Sequence, residues 1–452
     1  MITLKKNINK AKKYTKKREF RIYNSKILHN FYKNMLLKNK TQEFSLLNNN
    51  NNSITSKFLE HLYIQFNNNQ KIINAINVEK SRYQETNKTI IKNKITTIVD
   101  KYLKSSKYID INIINFIITN VYNCKIVSYK NTIKGKIYVF DFIIYTNKIS
   151  MKKLDFIVEK MLLILQVLIA ISNNILRNGQ HVTFFLTPFK KKLIFNKNVI
   201  LGAKNVNSGF TNPFLINGLT FIYRNEEFFK VFIHESIHYY GIDKALFKDL
   251  NSNDNYNKFI NLFNITNKRS INIGINEGLT EFWTFIMYIC SLSYKKEVTL
   301  PNFIYEVERL YNIELAHILF QLVKILNYNN LTYSQLLNKS NHKYSESSHI
   351  FSYYIVKTLL VYNIEDLYKS NIFDLNFSNN INICLKPDII SINKFLNILF
   401  KYALDTNFIK LVTKVTDFYN NYKNYKNENV NYKQEFILNN LRMMSSDYII
   451  FL

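Results

Sequence analysis

The chain has 452 residues, enough for one large core or two to three ordinary domains, and its hydrophobic content of 47% separates it from disordered chains. A formal net charge of +29 favours anionic partners, yet the lysines are spread along the chain without a nucleic-acid-binding motif, so the charge reads first as solvated surface with at most weak nucleic-acid association. The three cysteines, Cys124, Cys290 and Cys384, exclude a disulfide framework and point to a reducing, intracellular compartment.

Residues 1–55 are basic and then Asn-rich, which predicts a flexible arm. Its Lys-rich start, Met1 to Arg21, lacks the apolar run of a secretory signal, so secretion is not expected. Residues 56–105 carry apolar spacing of helical type (Phe58, Leu59, Leu62; Ile90, Ile91, Ile95, Ile98) and are expected to form a helical N-terminal region.

All eight glycines lie between Gly135 and Gly278, so the turn-rich, mixed α/β part of the protein should be the middle of the chain. There, residues 125–129 and 136–145 read as strands around a turn at Gly135, followed by a long helix from about Ser150 to Asn174. That helix contains the longest apolar run, Met161 to Ile171, too short for the ~20 residues of a membrane span, so no transmembrane segment is expected. Strands at 181–186 and 192–195, a loop at 205–213 and a strand at 219–223 come next.

A helix should then start with Asn225 as cap and with Glu226 and Glu227 against its positive end, and stop at Gly241. It carries His234-Glu235-Ser236-Ile237-His238, the pattern H-E-x-x-H. Residues four apart share a helical face, so the two imidazoles point at one place and Glu235 stands beside it. Two neutral nitrogen ligands with an adjacent carboxylate base suit a Zn2+ ion and a water activated on it.

A second helix, about 276–291, contains Asn276-Glu277-Gly278-Leu279-Thr280-Glu281. Two carboxylates on one half-buried face need a cation or donors opposite them. Glu277 is the expected third zinc ligand, leaving a fourth position open, and Glu281 is expected to accept the outer N–H of His234. From Pro301 onward the pattern is successive helices, about 301–329, 331–338, 346–363, 390–403 and 405–421.

H-E-S-I-H followed 39 residues later by N-E-G-L-T-E resembles the gluzincin group of zinc metallopeptidases, over roughly residues 205–292. Metzincins need a third His soon after the motif, and residues 239–250 contain none. The whole pattern also resembles predicted metallopeptidases of large DNA viruses, which would place it in the cytoplasm, a viral factory or a virion.

The resemblance implies an α+β fold with a zincin-like core. Residues 106–245 would form its β-rich part with the motif helix, and 246–452 a helical part that bears the third ligand and the far wall of the cleft. It implies peptide-bond hydrolysis of a peptide or protein substrate by a zinc-held water activated by Glu235, and an oxyanion donor from a downstream Tyr or His. His349 and Tyr353, which share a helical face, are the candidates for that donor. The strand Leu219, Thr220, Phe221, Ile222 and Tyr223 is the expected substrate groove, where an extended peptide could add to a sheet edge. The alternative reading is a catalytically silent zincin-like or basic packaging protein that binds nucleic acid or an acidic partner.

Overall fold

A computed structural model of the chain describes residues 27–35, 53–145, 149–172, 179–193, 199–212, 218–247, 250–265, 273–338, 341–377, 381–424 and 432–446. The fold is mixed α+β. We label the elements used below in chain order: helix α1 (Ile54–Asn74), strand β1 (Arg82–Glu85), helices α2 (Lys88–Ile98) and α3 (Ile111–Thr119), strands β2 (Lys125–Ile133) and β3 (Lys136–Ile144), helix α4 (Met151–Ile171), strands β4 (His181–Phe185), β5 (Gly209–Thr211) and β6 (Leu219–Ile222), and helices α5 (Phe228–Tyr240), α6 (Ile275–Ser293), α7 (Leu300–Tyr328) and α8 (Lys357–Tyr362). A single π-helical turn, Ser352–Val356, runs directly into α8.

The six strands form one mixed sheet in the order β1-β2-β3-β4-β6-β5. β2 and β3 are a hairpin whose turn residues Lys134 and Gly135 both have positive φ (49° and 75°), the twist that suits a two-residue hairpin loop. β3, β4 and β6 run parallel, and β5 returns antiparallel against β6 at the end of the sheet.

Side chains alternate across the sheet as a period of two requires. Phe140, Phe142, Val182, Phe184 and Ile222 face the main core beneath α4 and α5, where Phe232 meets Phe140 at a ring separation of 5.8 Å. Ile126, Ile143, Phe185, Phe221 and Tyr223 face a second core closed by Ile91 and Ile95 of α2 and Ile113 and Ile117 of α3. The apolar run expected to be a core helix is α4, whose residues from Met161 to Leu168 are all buried. Among the described residues no helix is long and apolar enough to cross a membrane.

Three expectations change. Within the stretch expected to be helical, Arg82–Glu85 is a strand on the edge of the sheet, paired with Tyr129–Ile126 of β2; four polar residues without apolar period carry no signal of it. Residues 27–35 of the expected flexible arm are helical, with Leu28 and Tyr32 fully buried and Phe31 packed edge-on against Phe320 of α7. The Asn48–Asn52 run and the Lys-rich start lie outside the described residues. The start of α5 also differs: Glu227, at φ 57°, takes the cap position without a side-chain cap bond, and Asn225 stands outside the helix.

Candidate metal centre

α5 positions the first two candidate ligands. It is buried along its whole length, from Phe228 to Tyr240, and ends where Gly241 adopts φ 67° and its N–H returns to the carbonyl of His238. That left-handed residue closes the helix one turn after the motif. The chain then turns back, bringing Asp243 Oδ2 to 2.6 Å from Nδ1 of His238. The Thr280 hydroxyl of α6 donates to the same oxygen at 3.0 Å, so Asp243 ties the motif to the neighbouring helix.

α6 supplies the third. Gly278 lets it come close to the π-helical turn: a Cβ there would fall 2.5 Å from Val356 Cγ1. Glu277, in the first turn of α6, then faces both imidazoles. Nε2 of His234 and Nε2 of His238 are 3.1 Å apart, and Glu277 Oε2 is 3.3 Å from each. Among the described residues these three form the one cluster of His, Cys, Asp and Glu able to hold a metal ion. Glu281, one turn deeper, places Oε1 2.8 Å from Nδ1 of His234.

The donor set fits a cation. Nδ1 of His238 hydrogen-bonds to Asp243 and Nδ1 of His234 lies 2.8 Å from Glu281, so a carboxylate stands at each outer nitrogen and favours the tautomer whose Nε2 lone pair points inward. Two lone pairs and a carboxylate oxygen thus converge and repel unless positive charge sits among them. Ligands bonded at about 2.0–2.1 Å to tetrahedral zinc lie about 3.3 Å apart, the spacing found here. Burial by itself would lower the His238 pKa, but Asp243 and Glu277 outweigh it and hold the ring well above its ordinary value. Burial would raise Glu277, and the two imidazoles instead hold it well below the carboxylate range.

Glu235 is 4% exposed, and burial raises its pKa to about 6 against the opposing pull of His234 and His238. Its carboxylate lies beneath β5. A Cβ on Gly209 would be 3.1 Å from Glu235 Oε1 and 2.9 Å from Val231 Cγ1, so a larger residue here would have to displace the Val231 side chain and press on Glu235. A carboxyl group that titrates near neutrality suits a proton acceptor and donor.

The structure brings together His234, Glu235, His238, Glu277 and Glu281 as the spacing predicts. Tyr353 joins them from the π-helical turn, its ring 6.1 Å from that of His234, and the nearby carboxylates of Glu277, Glu281 and Glu235 add to burial in raising its pKa. His349 lies one turn earlier, against Gly274 at the start of α6, with its Nδ1 buried and without a hydrogen-bond partner.

The expected substrate strand is corrected. Leu219–Ile222 of β6 is flanked by β4 and β5, so both its edges already carry sheet hydrogen bonds, while Phe221 and Tyr223 are buried in the second core. The strand that ends the described sheet on this side is β5, formed by Gly209, Phe210 and Thr211 of the expected loop. Phe210 stacks on Tyr108 at 6.2 Å beside that edge.

Several functional candidates escape sequence reading. Asp243 lies in a turn five residues after His238, a position with no helical face to flag it. Lys230 and Lys357 both pair with Glu281, the latter at 3.1 Å. Lys230 carried a signal: it is a lone charge in the apolar run Phe228–Ile233, four residues before His234 and so on the same face. Compared with known proteins, the chain matches no family model, no curated protein and no solved structure.

Proposed function

We propose that this chain is a zinc-dependent peptidase with a zincin-like core. The observation that carries the reading is the convergence of His234 Nε2, His238 Nε2 and Glu277 Oε2 at 3.1–3.3 Å from one another, with Glu235 beside them. A zinc ion held there would supply Lewis acidity toward a carbonyl oxygen and bring the pKa of water toward ~7.

The chain's own residues do the rest. Glu235 takes a proton from the attacking water and returns it to the leaving amine, a task suited to its burial and raised pKa. Asp243 and Glu281 keep both imidazoles oriented. Tyr353, on the far wall, donates its hydroxyl to the developing oxyanion. The substrate adds as an extended strand to the outer edge of β5, the strand whose Gly209 lies against the Glu235 carboxylate.

The test is metal analysis of the purified protein together with cleavage of a peptide library by wild type and Glu235→Gln. Near-stoichiometric zinc in both, with cleavage by wild type falling about 100- to 10,000-fold in the variant, is expected. Zinc binding without cleavage of any peptide by the wild-type chain overturns the catalytic reading, and absence of zinc overturns the metal reading.

A further inference from the structure

Residues 440–446 form no helix or strand, yet every one of them is buried, between 0 and 4% exposed. An irregular buried backbone must find partners for its N–H and C=O groups. Here side chains from distant parts of the chain supply many of them. Glu227 Oε1 accepts from the N–H of Met443 and of Met444 at 2.9 and 2.8 Å. Glu314 accepts from the N–H of Ser445 and from the hydroxyls of Ser445 and Ser446. Lys324 donates to the carbonyl of Asn440, Tyr354 to that of Leu441, and His317 and Gln321 to that of Arg442. The segment sits in this slot as a bound peptide sits in a receptor.

The slot abuts the metal centre. Lys357 Nζ donates to the carbonyl of Met443 and to Glu281 Oε2, both at 3.1 Å. Lys230 Nζ touches Met443 Sδ at 3.2 Å and pairs with Glu281 Oε1. Glu281 in turn meets Nδ1 of His234. Two lysines thus hold the carboxylate that orients the first ligand, and Met443 is where the segment touches both.

We propose that Lys230 and Lys357 are positioning residues of the metal centre and that docking of residues 440–446 sets its zinc affinity by fixing them against Glu281. This rests on the zinc reading above. The centre would be assembled only when the segment is in its slot, so that a chain with the slot empty holds zinc poorly.

The experiment measures zinc affinity by chelator competition, and the ligand-field spectrum of bound Co2+, in the full chain. Variants are Met443→Ala, the milder pair Ser445→Ala with Ser446→Ala, and Lys357→Met. Each should weaken zinc binding about 10- to 100-fold, the loss that follows when an outer partner is removed, and should alter the Co2+ spectrum. Asp141→Asn, on the opposite face of the sheet, should lower the unfolding temperature and leave zinc affinity unchanged. In a Glu281→Gln background, Met443→Ala should add less than about 3-fold, because both act through one carboxylate. Unchanged zinc affinity in the folded segment variants, or full additivity with Glu281→Gln, overturns this inference alone. A wild-type chain that binds no zinc overturns the metal reading and this inference with it.

Discussion

Among the described residues, a histidine meets a buried carboxylate on each side of the sheet, at Asp141 and beside α5, and the two groups are built to opposite ends. On the far side, Asp141 of β3 is 2% exposed and receives His181 Nε2 and Lys94 Nζ, both at 2.9 Å, with the Ser128 hydroxyl on its other oxygen. Donors surround one acceptor, and the cluster is complete as it stands. Burial would raise the Asp141 pKa; His181, Lys94 and Ser128 outweigh it and hold the carboxyl well below its usual range. Beside α5 the balance reverses, because the candidate ligand atoms of His234, His238 and Glu277 face one another, with Asp243 bonded to the outer nitrogen of His238 and Glu281 beside that of His234. Similar residue types make a self-contained tie in one place and, in the other, a group of ligand atoms that could hold a cation.

The sharpest way to break this contrast is to remove one carboxylate from each. Glu277→Gln should reduce zinc affinity beyond the ~10–100-fold that loss of an outer partner costs. Asp141→Asn should leave zinc binding intact and cost about 1–3 kcal/mol of stability, as expected for hydrogen bonds to a charged group. Chelator competition and thermal unfolding of the two variants separate these outcomes, and zinc loss in Asp141→Asn would erase the distinction.

Next in size is Tyr353→Phe. Loss of an oxyanion donor costs roughly 100- to 1,000-fold in kcat. The variant should show that loss with KM and zinc content unchanged, since the ring stays in place 6.1 Å from His234 and only the hydroxyl is gone. Equal loss in His349→Gln, with Tyr353→Phe silent, would move the role one turn along the helix. A smaller effect is expected from Asp243→Asn. The amide keeps a place beside His238 but no longer fixes its tautomer, so zinc affinity should fall about 10- to 100-fold.

Much of this was legible in the sequence because it is local. H-E-x-x-H on a helix, Glu277 and Glu281 four apart, the β2–β3 hairpin at Gly135 and the buried α4 all follow from periods of 2 or 3.6 and from glycine placement, and the structure places them within a few residues of expectation. The illegible parts are those whose form depends on distant partners. β5 has three residues and no period to read; it is a strand because Leu219–Ile222 accepts it. Glu226 and Glu227 read as dipole partners of α5, whereas in the fold both turn toward the late segment, to Arg442 and to the N–H groups of Met443 and Met444. Lys357 acquires its role only when the π-helical turn and Gly278 bring α8 and α6 together.

That redirected pair gives the mildest prediction. Glu226 receives the Lys191 N–H at 2.7 Å and Arg442 Nε at 2.8 Å. Burial would raise its pKa, yet Lys190 and Arg442 outweigh it and bring the carboxyl down to about 2. A carboxylate with a depressed folded pKa binds fewer protons in the native than in the unfolded chain. Its stabilisation is therefore present above the unfolded value of about 4.5 and is lost as pH falls toward about 2. Glu226→Gln should lower the unfolding temperature at pH 7 and flatten its decline between pH 4.5 and 2 relative to wild type. The candidate ligands His234 and His238 lie in the middle and last turn of α5, so any change in zinc affinity should reach them only through the 440–446 segment. Parallel loss of acid sensitivity and of zinc in this variant would show that Arg442 couples the segment to the candidate ligands, and acid sensitivity lost alone would show that Arg442 anchors the chain without tuning them.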